Sequence, residues 1–217
     1  MALVLLAPQA AWAKPIAFAD GTTVMHERNT NMLETQAFYA PAYWWSLGPG
    51  FVRLTSDDKR TRRDIGYVQF NVLAKRWNLP AAQGNLFAFA GAGTVRSTQA
   101  GVPGARRDAV WRYGGQGDYE TRSIYTSFKV DGYKAAAFSH RITTAQLGVA
   151  PYEHDYEDLA TWFLLQARHY TGGLRERSPG VRRIEETLLL RLFKGPVWAE
   201  LGVNRERHTQ FMIMYNF

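Results

Sequence analysis

Phe211-Met212-Ile213-Met214-Tyr215-Asn216-Phe217 has a strict period of two. Phe211, Ile213, Tyr215 and Phe217 share one face, while Gln210, Met212, Met214 and Asn216 share the other. Successive side chains of a strand point to opposite faces, so this alternation reads as a β-strand with one continuous apolar face. A helix would scatter the same residues around its circumference.

The period persists upstream. Val197, Ala199, Leu201 and Val203 alternate with Trp198, Glu200 and Gly202; Ile184, Leu188, Leu190 and Leu192 alternate with Glu185, Thr187, Leu189 and Arg191. Ile124, Thr126, Phe128 and Val130 alternate with Tyr125, Ser127, Lys129 and Asp131. Turn formers such as Lys194-Gly195-Pro196, Ser178-Pro179-Gly180 and Leu79-Pro80 separate the runs. Ten strands are expected, at 43–55, 64–78, 84–96, 109–119, 122–131, 138–150, 158–171, 182–193, 196–204 and 208–217, within a range of eight to twelve. Strands at this even spacing suit a meander.

A soluble sandwich also alternates, so the period alone does not decide the solvent. Two features favour a membrane. The polar faces carry full charges at Lys75, Arg112, Asp118, Lys129, Arg168, Glu185, Arg191 and Glu200. Aromatic residues gather near strand ends: Tyr43, Trp44 and Trp45, Trp77, Trp111 and Tyr113, Tyr170, Tyr215 and Phe217. Amphipathic rings at both rims form the girdles of a transmembrane barrel. The expected fold is all-β, a transmembrane antiparallel meander β-barrel of ten strands over 43–217. Residues 14–42 are expected as a periplasmic N-terminal segment, with an extra strand around 35–40 as the alternative.

The segment Phe211–Phe217 resembles the final strand of Gram-negative outer-membrane β-barrel proteins. That resemblance implies that Phe211, Ile213, Tyr215 and Phe217 are read by the barrel assembly machinery. Asp118-Tyr119-Glu120-Thr121-Arg122, Ala150-Pro151-Tyr152-Glu153-His154-Asp155-Tyr156, Leu159-Ala160-Thr161-Trp162 and Arg191-Leu192-Phe193-Lys194-Gly195 resemble segments of an uncharacterised proteobacterial outer-membrane family. The resemblance spans residues 35–217 and implies fold and location but no activity. Such proteins are associated with metal-handling gene neighbourhoods, to which Met25, His26 and Met32 lend little support.

The first residues, MALVLLAPQAAWA, run from an apolar stretch to Ala11-Trp12-Ala13, an A-x-A cleavage pattern. Residues 1–13 are expected as a signal peptide, lacking the usual basic start. The 217 residues contain no Cys, which excludes disulfides and thiolate metal sites. No apolar stretch is long enough for a transmembrane helix. A net charge of +7 spread over separate connections fits nucleic acid poorly.

With the C-terminus on the periplasmic side, the extracellular connections sum to +8 and the periplasmic turns to −4. Arg106, Arg107, Arg175, Arg177, Arg182 and Arg183 are therefore expected to face lipopolysaccharide, whose phosphates attract guanidinium groups. Inside, Glu120, Glu185 and Glu200 are expected to pair with Arg112, Arg168 and Arg191, with Lys129 in the same lumen network. Such a network stiffens a narrow barrel, or lines a porin-like path for protons, ions or very small solutes.

Catalysis finds less support. Glu153-His154-Asp155-Tyr156-Glu157-Asp158 lies on the periplasmic side and lacks the Asp-x-His order of omptin-type proteases. Glu153, His154 and Asp155 are at most weak metal candidates, and neither a metal nor a cofactor is expected. A lipid hydrolase would need Ser139, His140 or His169, but adjacent residues on a strand face opposite ways. The expected function is structural, or transport of small solutes or ions, in a monomeric outer-membrane barrel. A membrane-embedded lipid hydrolase and a soluble periplasmic binding protein are the alternatives.

Overall fold

The computed structural model describes residues 16, 18–153, 158–175 and 177–217. They form one antiparallel ring of twelve strands: β1 (Gly21–Arg28), β2 (Met32–Ala42), β3 (Trp45–Thr55), β4 (Thr61–Leu79), β5 (Ala82–Gln99), β6 (Arg106–Thr121), β7 (Ile124–Ala135), β8 (Phe138–Val149), β9 (Ala160–Tyr170), β10 (Ile184–Lys194), β11 (Val197–Asn204) and β12 (Thr209–Asn216). Each strand pairs with its sequence neighbours, and β1 pairs with β12 to close the ring. Thr22 and Phe217 exchange backbone hydrogen bonds of 2.6 and 2.9 Å at that seam. A closed ring leaves no unpaired edge, so every ladder N–H and C=O has a partner.

The ten expected strands correspond to β3 through β12, and the count is corrected to twelve by β1 and β2. Both come from the segment expected to be a periplasmic stretch, and β2 contains the alternative strand at 35–40. Their alternation is weak in contrast. On β1 Thr22, Val24 and His26 face out while Thr23, Met25 and Glu27 face in, so neither face is clearly apolar. On β2 the inward positions are Met32, Glu34, Gln36, Phe38 and Ala40. The signal-peptide segment, 1–13, lies outside the described residues.

The polarity is inverted relative to a soluble protein. Leu47, Val68, Phe70, Phe128, Leu147, Phe163, Leu165, Leu188, Leu201 and Ile213 are exposed on the outer wall. Arg112, Asp118, Glu120, Arg168, Glu185, Arg191 and Glu200 are buried inside. Tyr43, Trp44, Trp77, Tyr215 and Phe217 ring one end, and Trp111 and Tyr113 stand exposed toward the other. Tyr170 departs from the expected girdle: it faces inward at 2% exposure. Lys75 also departs. A register shift between Leu73 and Lys75 turns it outward and brings Arg76 to Asn85 inside, at 2.8 Å.

Candidate functional site: a layered lumen and its mouth

The inward faces stack into layers. At the end bearing β1's start and β12's finish, Trp162, Trp198, Phe193, Leu164, Leu189, Met212 and Met214 form an apolar floor. Ile16, Ala40, Leu73 and Phe87 pack beside it. At the opposite end Val52, Leu54, Ile65, Val95, Val110, Tyr133, Ile142, Tyr170 and Leu174 form an apolar ceiling. A polar layer lies between them.

The polar layer is built from ion pairs. Arg112 Nη1 donates to Glu34 Oε1 at 2.6 Å, and Nη2 to Asp131 Oδ1 at 2.8 Å. Lys129 shares Asp131 at 3.2 Å. Arg112 also lies over Tyr67, Phe89 and Tyr133, and its Nη1 donates to the Tyr67 hydroxyl. Arg191 Nε donates to Glu200 Oε1 at 2.7 Å, sandwiched between Tyr125 and Trp198. Arg168 Nη2 donates to Glu27 Oε1 at 2.6 Å. From Arg191 a run of amides crosses the lumen: Nη2 donates to Gln146, Gln146 to Gln166, and Gln166 to Gln210, at 3.1, 3.0 and 2.9 Å. A buried charge is tolerated only where it is paired and hydrogen-bonded, and each of these guanidinium groups meets that condition.

The expected lumen network is thus assembled with partly different partners. Arg191 and Glu200 meet, and they are also register partners across β10 and β11. Arg168 and Glu185 are register partners, yet Arg168 turns to Glu27 and Glu185 to Arg175. Arg112 takes Glu34 and Asp131 rather than Glu120, which is buried farther toward the floor. Glu27 and Glu34 were missed because they sit on β1 and β2. The inward sets 23, 25 and 27 on β1 and 32, 34 and 36 on β2 are period-two signals that low apolar contrast hid.

A cavity of about 120 Å³ remains in the polar layer, bordered by Arg112, Lys129, Asp131, Arg168, Arg191 and Glu200 among others. That volume holds several water molecules. The wall is charge-balanced: four cations and four carboxylates line it.

The 171–183 connection folds over the mouth. Leu174 is fully buried in the ceiling, and its carbonyl accepts from Asp57 N at 3.0 Å and Asn31 Nδ2 at 3.2 Å. Arg175 donates to Asn31 and Glu185 at 3.0 Å each, to Glu206 at 2.6 Å and to the Arg182 carbonyl at 2.8 Å. One side chain thereby ties two other connections, at Asn31 and Glu206, to the start of β10. Arg175 does not belong with the outward-facing basic residues expected from sequence; it is 4% exposed. Arg106, Arg107, Arg177, Arg182 and Arg183 are exposed at this end. Arg106 pairs with Asp108 at 2.9 Å.

The remaining candidates do not converge. Ser139 is exposed on the outer wall, whereas His140 is 1% exposed inside, as adjacent strand residues require. His169 is on the outward face of β9. Glu153 is exposed and pairs with Arg122 at 3.0 Å, while His154 and Asp155 lie outside the described residues. Among the described residues no three His, Asp or Glu side chains cluster as a metal site.

No protein-family model and no curated protein matches the chain. Solved structures similar to it include a porin and an outer membrane protein. A KdgM porin aligns over 91% of this chain and 98% of its own, at 10% identity and a TM-score of 0.48. A loop L8 deletion mutant of OmpT, an outer membrane protein of Vibrio cholerae, covers 91% and 97%, at 10% identity and a TM-score of 0.33. CdiB from Acinetobacter baumannii covers 93% of this chain and 61% of its own, at 9% identity and a TM-score of 0.34. The fold assignment rests on the closed hydrogen-bonded ring itself.

Proposed function

We propose that the protein is an integral β-barrel of a Gram-negative outer membrane whose filled lumen makes it a structural element or a narrow, porin-like path for water, ions or very small solutes. The observation that carries this reading is the inverted polarity. Large apolar side chains cover the outer wall and buried ion pairs occupy the interior, which suits lipid outside and a polar lumen inside. The apolar floor and ceiling argue for restricted passage rather than a wide water-filled pore.

Several finer elements belong to the same proposal. The end carrying the β1–β12 seam is periplasmic. The outward stripe Phe211, Ile213, Tyr215 and Phe217 is the feature recognised by the barrel assembly machinery, and the N-terminal segment directs export. Arg106, Arg107, Arg182 and Arg183 contact lipopolysaccharide at the extracellular rim. The barrel acts as a monomer, and the sequence kinship is with proteobacterial outer-membrane proteins.

Heat-modifiability tests the central reading. A closed barrel resists detergent until heated, because no strand edge is free. An outer-membrane fraction run with and without boiling is expected to show two mobilities. A single mobility, with the protein in the osmotic-shock fluid, would overturn the reading in favour of a soluble periplasmic binding protein.

A further inference from the structure

Arg112, Arg168, Arg175 and Arg191 each have a carboxylate within 3.0 Å. Two arginines at the mouth break that pattern. Arg63 faces inward near the start of β4, half-buried, and among the described residues it makes no ion pair. Its Nε is buried without a hydrogen-bond partner. Arg177, on the connection above, donates through Nη1 to the Thr61 hydroxyl at 3.2 Å. Thr61 and Arg63 are inward neighbours on β4, so this bond brings Arg177 to the same stretch of wall as Arg63. Among the described residues, the acids of the β3–β4 connection accept hydrogen bonds from other groups: Asp57 from the backbone N–H groups of Arg177 and Ser178, and Asp58 from Ser56 and the Arg60 backbone N–H.

The pair is held in place. The Arg63 guanidinium lies over the Phe138 ring at 4.5 Å, and the same ring packs against His140 at 4.9 Å. The connection passes over His140 at Gly172 and under Arg177 at Gly173, with φ of 73° and 72°. A side chain at Gly172 would collide with the imidazole, and one at Gly173 would stand 2.9 Å from Arg177 Nη2. Glycine alone combines that left-handed backbone with so close an approach. His140 Nδ1 donates to the Thr171 carbonyl at 3.2 Å, since a carbonyl only accepts. On the neutral ring this leaves Nε2 as an acceptor, and among the described residues Nε2 has no partner.

We propose that Arg63, Arg177 and His140 form a binding site for a phosphate group at the inner wall of the barrel mouth. The two guanidinium groups would take the charged oxygens by charge-assisted hydrogen bonds. The remaining P–OH of hydrogen phosphate would donate to His140 Nε2. Sulfate carries no proton at neutral pH and has nothing to offer that nitrogen. The site faces the lumen rather than lipid, so its ligand is a soluble phosphate entering through the mouth, drawn by the basic residues around it. This rests on reading the chain as a barrel with an aqueous mouth.

The test uses the full chain in lipopolysaccharide-free detergent, titrated calorimetrically with inorganic phosphate and, separately, with sulfate. Phosphate is expected to bind and sulfate to bind at least about tenfold more weakly, the size of one hydrogen bond to a charged partner. Arg63→Gln and Arg177→Gln are each expected to weaken phosphate at least about tenfold. Arg106→Gln, an exposed arginine at the same end, is expected to change it less than twofold. Equal affinity for both anions, or equal losses in all three variants, would mean diffuse attraction and overturn the site. Each variant is checked for its heat-modifiable band, so a failed barrel is distinguished from a failed site. Lipopolysaccharide retained on purification is measured in parallel. Its loss in Arg63→Gln with phosphate binding intact would assign the pair to lipid and overturn the soluble ligand.

Discussion

Glu34 and Arg112 are 78 residues apart in the chain and meet at 2.6 Å inside the barrel, each no more than 3% exposed. The pair joins β2 to β6 across the lumen and gathers Tyr67, Asp131 and Lys129 around it. Removing one member leaves the other as an uncompensated buried charge. Arg112→Met and Glu34→Gln are each expected to cost about 3–5 kcal/mol. The double variant keeps the Lys129–Asp131 pair and is expected to be less destabilised than Arg112→Met alone. Urea titration of the folded band in detergent measures all three; strict additivity would show that the two residues do not act together.

Arg175 is the tie that holds the 171–183 connection over the mouth. In planar bilayers the unaltered protein is expected to pass little current, because apolar layers narrow its lumen on either side of the polar layer. Arg175→Ala frees the connection from two neighbouring turns and from β10, and is expected to increase the frequency of open events. A large steady current through the unaltered protein would show that the layers do not obstruct it.

Tyr67 reaches Glu34 and Arg112 by lying flat over Gly50, its register partner on β3. A methyl group at position 50 would meet the ring and push its hydroxyl off the ion pair. Gly50→Ala is expected to destabilise the barrel by about 1–3 kcal/mol, the usual cost of overpacking. Gly66→Ala is the matched control, because a methyl there meets nothing within 4 Å. It is expected to stay within about 1 kcal/mol of the parent. The transition of the heat-modifiable band reports both.

Asp58, in the β3–β4 connection, has its carboxyl held below the ordinary value of 3.8 by the Ser56 hydroxyl and then by the Arg60 backbone N–H. A carboxyl whose folded value is depressed stabilises above its unfolded value and loses that contribution as pH falls through the folded one. The connection is therefore expected to loosen only in acid, below about pH 4. Pepsin cleavage at 56–60 should rise as the medium is acidified. Asp58→Asn should remove the pH dependence, leaving the segment equally susceptible across that range.

The alternation on β9 through β12 was legible because lipid and lumen impose opposite demands on alternate residues. Leu188 and Leu201 face out where Arg191 and Glu200 face in. On β1 and β2 the outward residues include Thr22, His26 and Thr35, so the contrast faded: β1 went unread and β2 surfaced only as an alternative strand at 35–40. The candidate lumen charges were legible as inward positions, but their pairings were not. Arg112 chooses between Glu120 on its own strand and Glu34 across the barrel, and only the closed ring sets that distance. Arg175 looked like one basic residue among several; its burial depends on turns at Asn31 and Glu206, far away in sequence.

The seam between β1 and β12 has a consequence for the order of folding. Thr23 Oγ1 donates to Asn216 Oδ1 at 2.8 Å across a separation of 193 residues. Closing so long a loop costs about 5 kcal/mol of chain entropy beyond a constant. No local contact repays that before the ring shuts. The other eleven pairings are hairpin-local and zip from neighbour to neighbour, so the sheet grows as an open, curling ribbon with two hungry margins. Those margins are the part of the nascent molecule most in need of an escort, and they vanish together in a single event.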